Sequence, residues 1–197
     1  MASSTFAALS DSLPDDPENA RDIELMRLIA AGDETAMRDL IERYQARVIG
    51  TATRMLGSDR EAEDVAQQVF VRIWKSAGRY QPSAKFTTWM FTIVRNLVFN
   101  HTRRYRGQAE TELDEEIRDT RQKTPDQDVL EEEKQQAIQS AIDALPEAQR
   151  LAIVLRRYDN VPYEEIARIM GQTVPAVKSL LFRARTSLRE SLRQYLE

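Results

Sequence analysis

Residues 163–188, YEEIARIMGQTVPAVKSLLFRARTSL, decide the fold. Ile166, Ala167 and Met170 recur on one side of a short helix, and Gly171 supplies the positive φ of a tight turn. Thr173 caps the next helix, which puts Pro175 in its first turn, where a backbone N–H has no intrahelical partner to lose. The proline therefore marks the start of a helix. Val177, Leu181, Ala184, Leu188 and Leu192 form its core stripe, leaving Lys178, Ser179, Phe182, Arg183 and Arg185 largely outward, with Leu180 in the middle of that surface. The spacing is that of a helix-turn-helix, and basic and hydroxyl groups on its second helix suit phosphates and major-groove base edges. The plainer reading of the same residues is a solvated basic face on a helical hairpin.

Upstream, Val129, Leu130, Ala137, Ile138, Ala141, Ile142 and Leu145 form one apolar stripe, and a helix carrying Leu151, Val154 and Leu155 follows Pro146. Thr124-Pro125 reads as an N-cap followed by proline at the first helical position, so the C-terminal unit spans residues 128–197. Residues 108–127 are poor in large apolar side chains and rich in acids, which marks a flexible linker. Charge falls in blocks: residues 36–107 hold 13 basic and 6 acidic residues, residues 108–135 hold 4 and 11, and residues 150–197 hold 9 and 5. The net charge of −4 thus conceals two locally positive units, suited to a polyanion and separated by an acidic connector. By its residues that connector reads as a solvated tether that keeps the two units apart, or as a shield over the chain's own basic faces.

The N-terminal unit, residues 22–107, follows a tail at residues 1–21 expected to be disordered. A helix near residues 22–31 precedes one capped by Asp33, with Met37, Leu40, Ile41, Tyr44, Val48, Ala52 and Met55 on one face and Gly57 at its end. Ser58 and Glu61 then form a capping box for a helix burying Ala62, Val65, Ala66, Val69 and Ile73. On its opposite face stand Glu63, Gln67, Phe70 and Trp74, with Asp64 and Gln68 beside them. The two aromatics either present a docking surface or widen the core. Residues 77–87 read as a loop. The last helix of the unit, near 87–105, places Trp89, Ile93 and Leu97 inward, with Gly107 able to close it. Its other side offers Arg95, Asn96, Phe99, Asn100, Arg103 and Arg104, a mixture suited to unstacked bases and their phosphates, although arginines at a helix end also complement the helix dipole.

Three segments in order, SDREAEDVAQQVFVRIWKSAGRY, FTTWMFTIVRNLVFNHTRRYR and LPEAQRLAIVLRRYDNVPYEEIARIMGQTVPAVKSLLFRARTSL, resemble bacterial RNA polymerase sigma factors of the extracytoplasmic-function group. The resemblance covers roughly residues 22–107 and 128–193. It implies an all-α fold of two small helical domains joined by a linker, the C-terminal one a winged-helix-like helix-turn-helix. It further implies that Glu63, Asp64, Gln67, Gln68, Phe70 and Trp74 lie in the segment that binds the beta and beta-prime subunits of core RNA polymerase. Arg95, Asn96, Phe99, Asn100, Arg103 and Arg104, with Lys85 in the preceding loop, would open and read the minus-10 element as single strand. Lys178, Ser179, Phe182, Arg183 and Arg185 would read the minus-35 element as duplex promoter DNA. An anti-sigma factor is the implied regulatory partner. The chain departs from the family at Gln68, where an acid is common, and at Leu180, where many members carry a basic residue.

Composition narrows the alternatives. There are no cysteines and one histidine, His101, which excludes disulfides and thiolate zinc sites and leaves little for a metal cage or a nucleophilic centre. No phosphate-cradling glycine motif occurs, so no cofactor, small-molecule substrate or enzymatic activity is expected. No basic, apolar leader and no run of about 18 apolar residues stands in the chain, so the expected location is cytoplasmic, without membrane insertion. A stand-alone helix-turn-helix regulator is the competing reading, and a helical adaptor that never touches DNA is a second.

Overall fold

A computed structural model of the chain describes residues 16–109 and 129–195. The tail before residue 16, the Thr124-Pro125 cap and nearly all of the acidic linker lie outside these residues. The N-terminal unit comprises α1 (Pro17–Ala30), α2 (Glu34–Leu56), α3 (Asp59–Ser76), a 3-10 turn (Ala77–Arg79) and α4 (Phe86–Ala109). The C-terminal unit comprises α5 (Val129–Asp143), α6 (Glu147–Arg157), α7 (Tyr163–Met170), α8 (Val174–Ser191) and a 3-10 turn (Arg193–Tyr195).

Helix ends follow local chemistry. Asp33 accepts from the backbone of Thr35 and Ala36 at the start of α2, and Gly57 closes that helix at φ 70°, a conformation that strains any residue with a Cβ. Ser58 accepts from Glu61 N at the start of α3, and the Glu61 carboxylate lies 3.9 Å from His101 Nδ1. Two boundaries differ from expectation. Helix α1 begins at Pro17, inside the segment read as tail, because Asp16 accepts from the backbone of Glu18 and Asn19 and the proline sits where no N–H is needed. Helix α4 continues through Gly107, which does not end it.

The buried face of α4 is broader than the single stripe expected. Phe86, Met90, Phe91, Val94, Leu97 and Val98 are buried, while Trp89 and Ile93 are only partly so. The reason is position: α4 packs against α1, α2, α3 and α7, so it meets neighbours on more than one side. The 77–87 loop is fastened to its start. Trp89 lies 4.9 Å from the Tyr80 ring and 5.9 Å from Phe86, and Asn19 of α1 accepts from Phe86 N at 2.9 Å, satisfying an orphan donor of the first turn.

In the C-terminal unit Gly171 turns the chain at φ 64°, Thr173 accepts from Ala176 N, and Pro175 occupies the second position of α8. Val177, Leu181 and Ala184 form the buried side of α8, with Leu188 and Leu192 half-buried. Ile169, rather than Met170, completes the buried face of α7. The described residues contain no strand, so the winged-helix likeness extends to the helical core alone. No helix among the described residues is long and apolar enough to cross a membrane.

The two units are packed directly together. Helices α5 and α6 lie on α2, α7 lies along α4, and the buried side chains of both units form one contiguous cluster. Sequence pattern predicts two units; it does not predict that they share a core.

Candidate nucleic-acid interface

On α8 the outward groups are where the spacing places them. Lys178, Ser179, Phe182, Arg183 and Arg185 are exposed, Phe182 at 71%. Leu180 is not in the middle of that surface: it is partly buried and packs against the core. Local bonds order the basic face. Ser179 Oγ donates to the Pro175 carbonyl at 3.1 Å, Arg183 Nε donates to the Ser179 carbonyl at 3.4 Å, and Arg185 donates to the Tyr163 hydroxyl at 3.4 Å. Tyr163, the first residue of α7, is a member of this surface that sequence reading missed. The Arg156 guanidinium stacks 5.2 Å above its ring, and the Arg185 hydrogen bond holds its hydroxyl below the usual phenol range. The signal available was its position at the entry to the first helix of the motif.

On α4 the expected residues divide into two sets. Asn96, Asn100, Arg103 and Arg104 are exposed, and Phe99 is half-buried against the core. Lys85 and Arg95 are instead engaged. Lys85 Nζ lies 2.8 Å from Asp16 Oδ2 and 3.8 Å from Glu165 Oε1, and the Asp16 bond raises its pKa while lowering that of Asp16. Arg95 donates to Asn96 Oδ1 through Nε and one terminal nitrogen, and through the other to the Ile169 carbonyl at 2.5 Å. Both cations therefore touch the C-terminal unit through α7.

On α3, Glu63, Asp64, Gln67 and Gln68 are exposed and Trp74 is 39% exposed. Of the two readings open for the aromatics, a widened core holds for Phe70, which at 8% exposure belongs to the core cluster with Val69 and Ile73. Val71, 50% exposed, takes its place beside Trp74 as the apolar element of an otherwise polar face.

The seam between the units is lined with polar pairs. Thr51 donates to Asp159 Oδ2 at 2.8 Å, Arg47 reaches the same carboxylate at 3.4 Å and the Asp159 carbonyl at 3.3 Å, and Thr88 donates to Glu165 at 3.1 Å. Arg150 donates to the Met55 carbonyl at 2.9 Å. Burial raises the Asp159 pKa, against the lowering by Thr51 and Arg47. Within the N-terminal unit, burial likewise raises that of Asp22, which accepts from Tyr44 and lies 3.1 Å from Arg43 Nε. Among the described residues no group of three or more His, Asp or Glu is placed to hold a metal ion. The chemistry on offer is recognition: exposed cations, amides and aromatic rings on helix faces.

Comparison with known proteins matches two stretches of the chain. Residues 40–108 match the family model described as Sigma-70 region 2, and residues 135–188 match Sigma-70, region 4. The chain is 31% identical over 179 residues to the ECF RNA polymerase sigma factor SigW of Bacillus subtilis, covering 85% of this chain and 95% of that one. It is 30% identical over 180 residues to the ECF RNA polymerase sigma-E factor of Escherichia coli K12, covering 87% and 94%, and 29% identical over 187 residues to the RNA polymerase sigma-H factor of Pseudomonas aeruginosa, covering 89% and 96%. Among solved structures, CnrH in complex with the cytosolic domain of CnrY has a similar fold, with a TM-score of 0.67 at 23% identity over 88% of this chain and 98% of that one. The sigma factor RpoE of Bartonella quintana, in complex with the anti-sigma factor NepR, gives 0.64 at 23% identity over 79% and 96%.

Proposed function

The chain belongs to the sigma-70 family, in the extracytoplasmic-function group of RNA polymerase sigma factors, and on that premise we propose that its two units divide promoter recognition between them. Helix α8 anchors duplex DNA at the minus-35 element through Lys178, Ser179, Phe182, Arg183 and Arg185. Helix α4, with Lys85 before it, holds the melted minus-10 strand through Arg95, Asn96, Phe99, Asn100, Arg103 and Arg104, stacking and hydrogen-bonding unpaired bases while guanidinium groups neutralise phosphates. The α3 face, with Glu63, Asp64, Gln67, Gln68 and Trp74, docks on the beta and beta-prime subunits of core polymerase. Phe70 supports that face from within.

One observation carries the DNA reading. Phe182 stands 71% exposed amid cations on a helix whose opposite side is fixed in the core, and burial offers no reason for a phenylalanine there. An aromatic ring beside arginine and hydroxyl groups fits thymine methyls and base edges in the major groove. The Val71 and Trp74 pair on α3 favours a factor that works on polymerase over a stand-alone regulator, which needs no second protein-docking face. The protein performs no covalent chemistry itself and acts in the cytoplasm, where polymerase is. Control by an anti-sigma factor is part of the proposal, supported by the family and by the complex in which the Bartonella quintana relative was solved.

The test is promoter-dependent transcription by core polymerase with and without the protein. Start-specific transcripts that depend on it are expected. Tight duplex binding without any gain in specific transcripts would leave the stand-alone regulator standing instead.

A further inference from the structure

Helix α4 begins without a cap of its own. Lys85, whose carbonyl accepts from Trp89 N at 3.2 Å, stands at its N-cap, where a side chain with an acceptor oxygen is the rule and a cation opposes the helix dipole. Helix α1 supplies what is missing. Asn19, 6% exposed, accepts from Phe86 N at 2.9 Å, and Asp16 accepts from Lys85 Nζ at 2.8 Å. Asn19 and Asp22 are two of the few polar side chains buried among the described residues, and they stand three positions apart on this one helix. Asp22 accepts from Tyr44 of α2 and lies 3.1 Å from Arg43 Nε, and the Tyr44 ring lies 5.3 Å from that of Phe86. A closed circuit results: Asp22 fixes α1 to α2, and the first residue of α4 is bonded to Asn19 and packed on Tyr44. A local rule broken at the start of α4 and compensated from another element marks Lys85 as kept for function rather than for helix stability.

We propose that Asn19 is a positioning residue for strand capture: it caps α4 from outside, and so sets where α4, with Lys85 at its entry, meets the melted minus-10 strand. Asp16 holds the Lys85 ammonium at the same helix entry. The inference rests on the strand-holding role proposed above for α4. Asn19 does not touch DNA in this scheme and acts through Phe86. Without its acceptor the Phe86 N–H loses its partner in a buried place, and the first turn of α4 must shift toward water to satisfy it. Groups that grip unpaired bases work only in the fraction of molecules in which that turn is in place, so a turn formed about one-tenth of the time lowers strand affinity about tenfold. The duplex-reading groups Ser179, Arg183 and Arg185 are bonded within α7 and α8 and feel no such loss.

The test uses holoenzyme assembled from core polymerase and the full chain, at a temperature where circular dichroism shows every variant folded. Two probes come from a promoter on which the native chain gives start-specific transcripts: a single strand carrying the minus-10 element and a duplex carrying the minus-35 element. Asn19→Leu keeps the volume and removes the acceptor, whereas Asn19→Asp keeps an acceptor oxygen with a charge favourable to the N-termini of α1 and α4. The expected result is a strand affinity about tenfold lower in Asn19→Leu, a duplex affinity within about twofold of native, and recovery of strand affinity to within about twofold in Asn19→Asp. Strand and duplex affinities falling together would reduce Asn19 to a general support of the fold and overturn the positioning role. An unchanged strand affinity, or a loss that Asn19→Asp does not recover, would overturn it as well. Should Asn19→Leu fail to fold, Asn19→Ala, a better helix former within α1, carries the same test with the same outcomes. Failure of the sigma reading is distinguishable, because it shows in the native chain as missing start-specific transcripts and takes the inference with it, whereas failure of the inference alone leaves those transcripts intact.

Discussion

Phe70 is the residue at which helical spacing and tertiary structure disagree most sharply, and Phe70→Ala against Trp74→Ala separates them. Spacing places both rings on the face of α3 opposite its core stripe, the face proposed to dock on polymerase; the structure leaves Phe70 8% exposed and Trp74 39% exposed. Truncating a buried phenylalanine removes its transfer free energy and leaves a cavity, a loss of about 3–5 kcal/mol. Domains of this size hold about 5–15 kcal/mol in all, so a large share of the stability goes. At about 2–4 °C per kcal/mol for a chain of this length, the melting temperature falls by about 6–20 °C. Trp74→Ala should shift stability by less than about 1 kcal/mol, yet weaken core polymerase binding by about 2 kcal/mol or more if the ring is an interface anchor. Urea and thermal unfolding followed by circular dichroism read the first effect, and titration of labelled protein with core polymerase reads the second. Phe70→Ala unfolding within about 1 kcal/mol of the native chain while losing polymerase affinity would refute the assignment of Phe70 to the core.

Phe182→Ala should leave unfolding within about 0.5 kcal/mol of the native chain but weaken specific duplex binding about tenfold or more; a loss equal on specific and random duplex would show that the ring reads no base. Lys178→Ala should lower the salt slope of duplex binding by about 0.9 whatever the sequence, and an unchanged slope would remove Lys178 from the phosphate contacts. Burial raises the Asp159 pKa in the folded chain, so the folded form binds the proton more tightly than the unfolded one. Its contribution to stability is complete below the ordinary carboxylate pKa and is lost as pH rises through the raised value. Asp143, also raised by burial, acts in the same sense. The midpoint of thermal unfolding should therefore gain from these two groups on mild acidification, and Asp159→Asn should reduce that gain; an undiminished gain would place the titrating group elsewhere.

Local chemistry explains what was legible in the sequence. The Asp33, Ser58 and Thr173 caps and the left-handed Gly57 and Gly171 are each read from a few adjacent residues, and each stands in the structure as read. The start of α1 was equally legible in Asp16-Pro17 but was submerged in an acidic tail. The α8 surface was legible because that helix is buried on one side only, so one stripe determines its outward face. Helix α4 was harder, since neighbours on several sides erase the contrast between a core stripe and the rest; Trp89 and Ile93 proved half-buried and Met90, Phe91 and Val94 fully buried.

By itself, then, the sequence determined the helices, their caps, the helix-turn-helix and the separation of positive units from acidic connector, because all of these depend on neighbours within a turn or two. Tertiary structure alone decided that Phe70 turns inward, that Leu180 leaves the reading surface, and that Arg95 and Lys85 are held by α7. Those outcomes depend on which helix lies against which, through contacts such as Thr51 with Asp159 that join residues more than one hundred positions apart, and no periodicity carries that information.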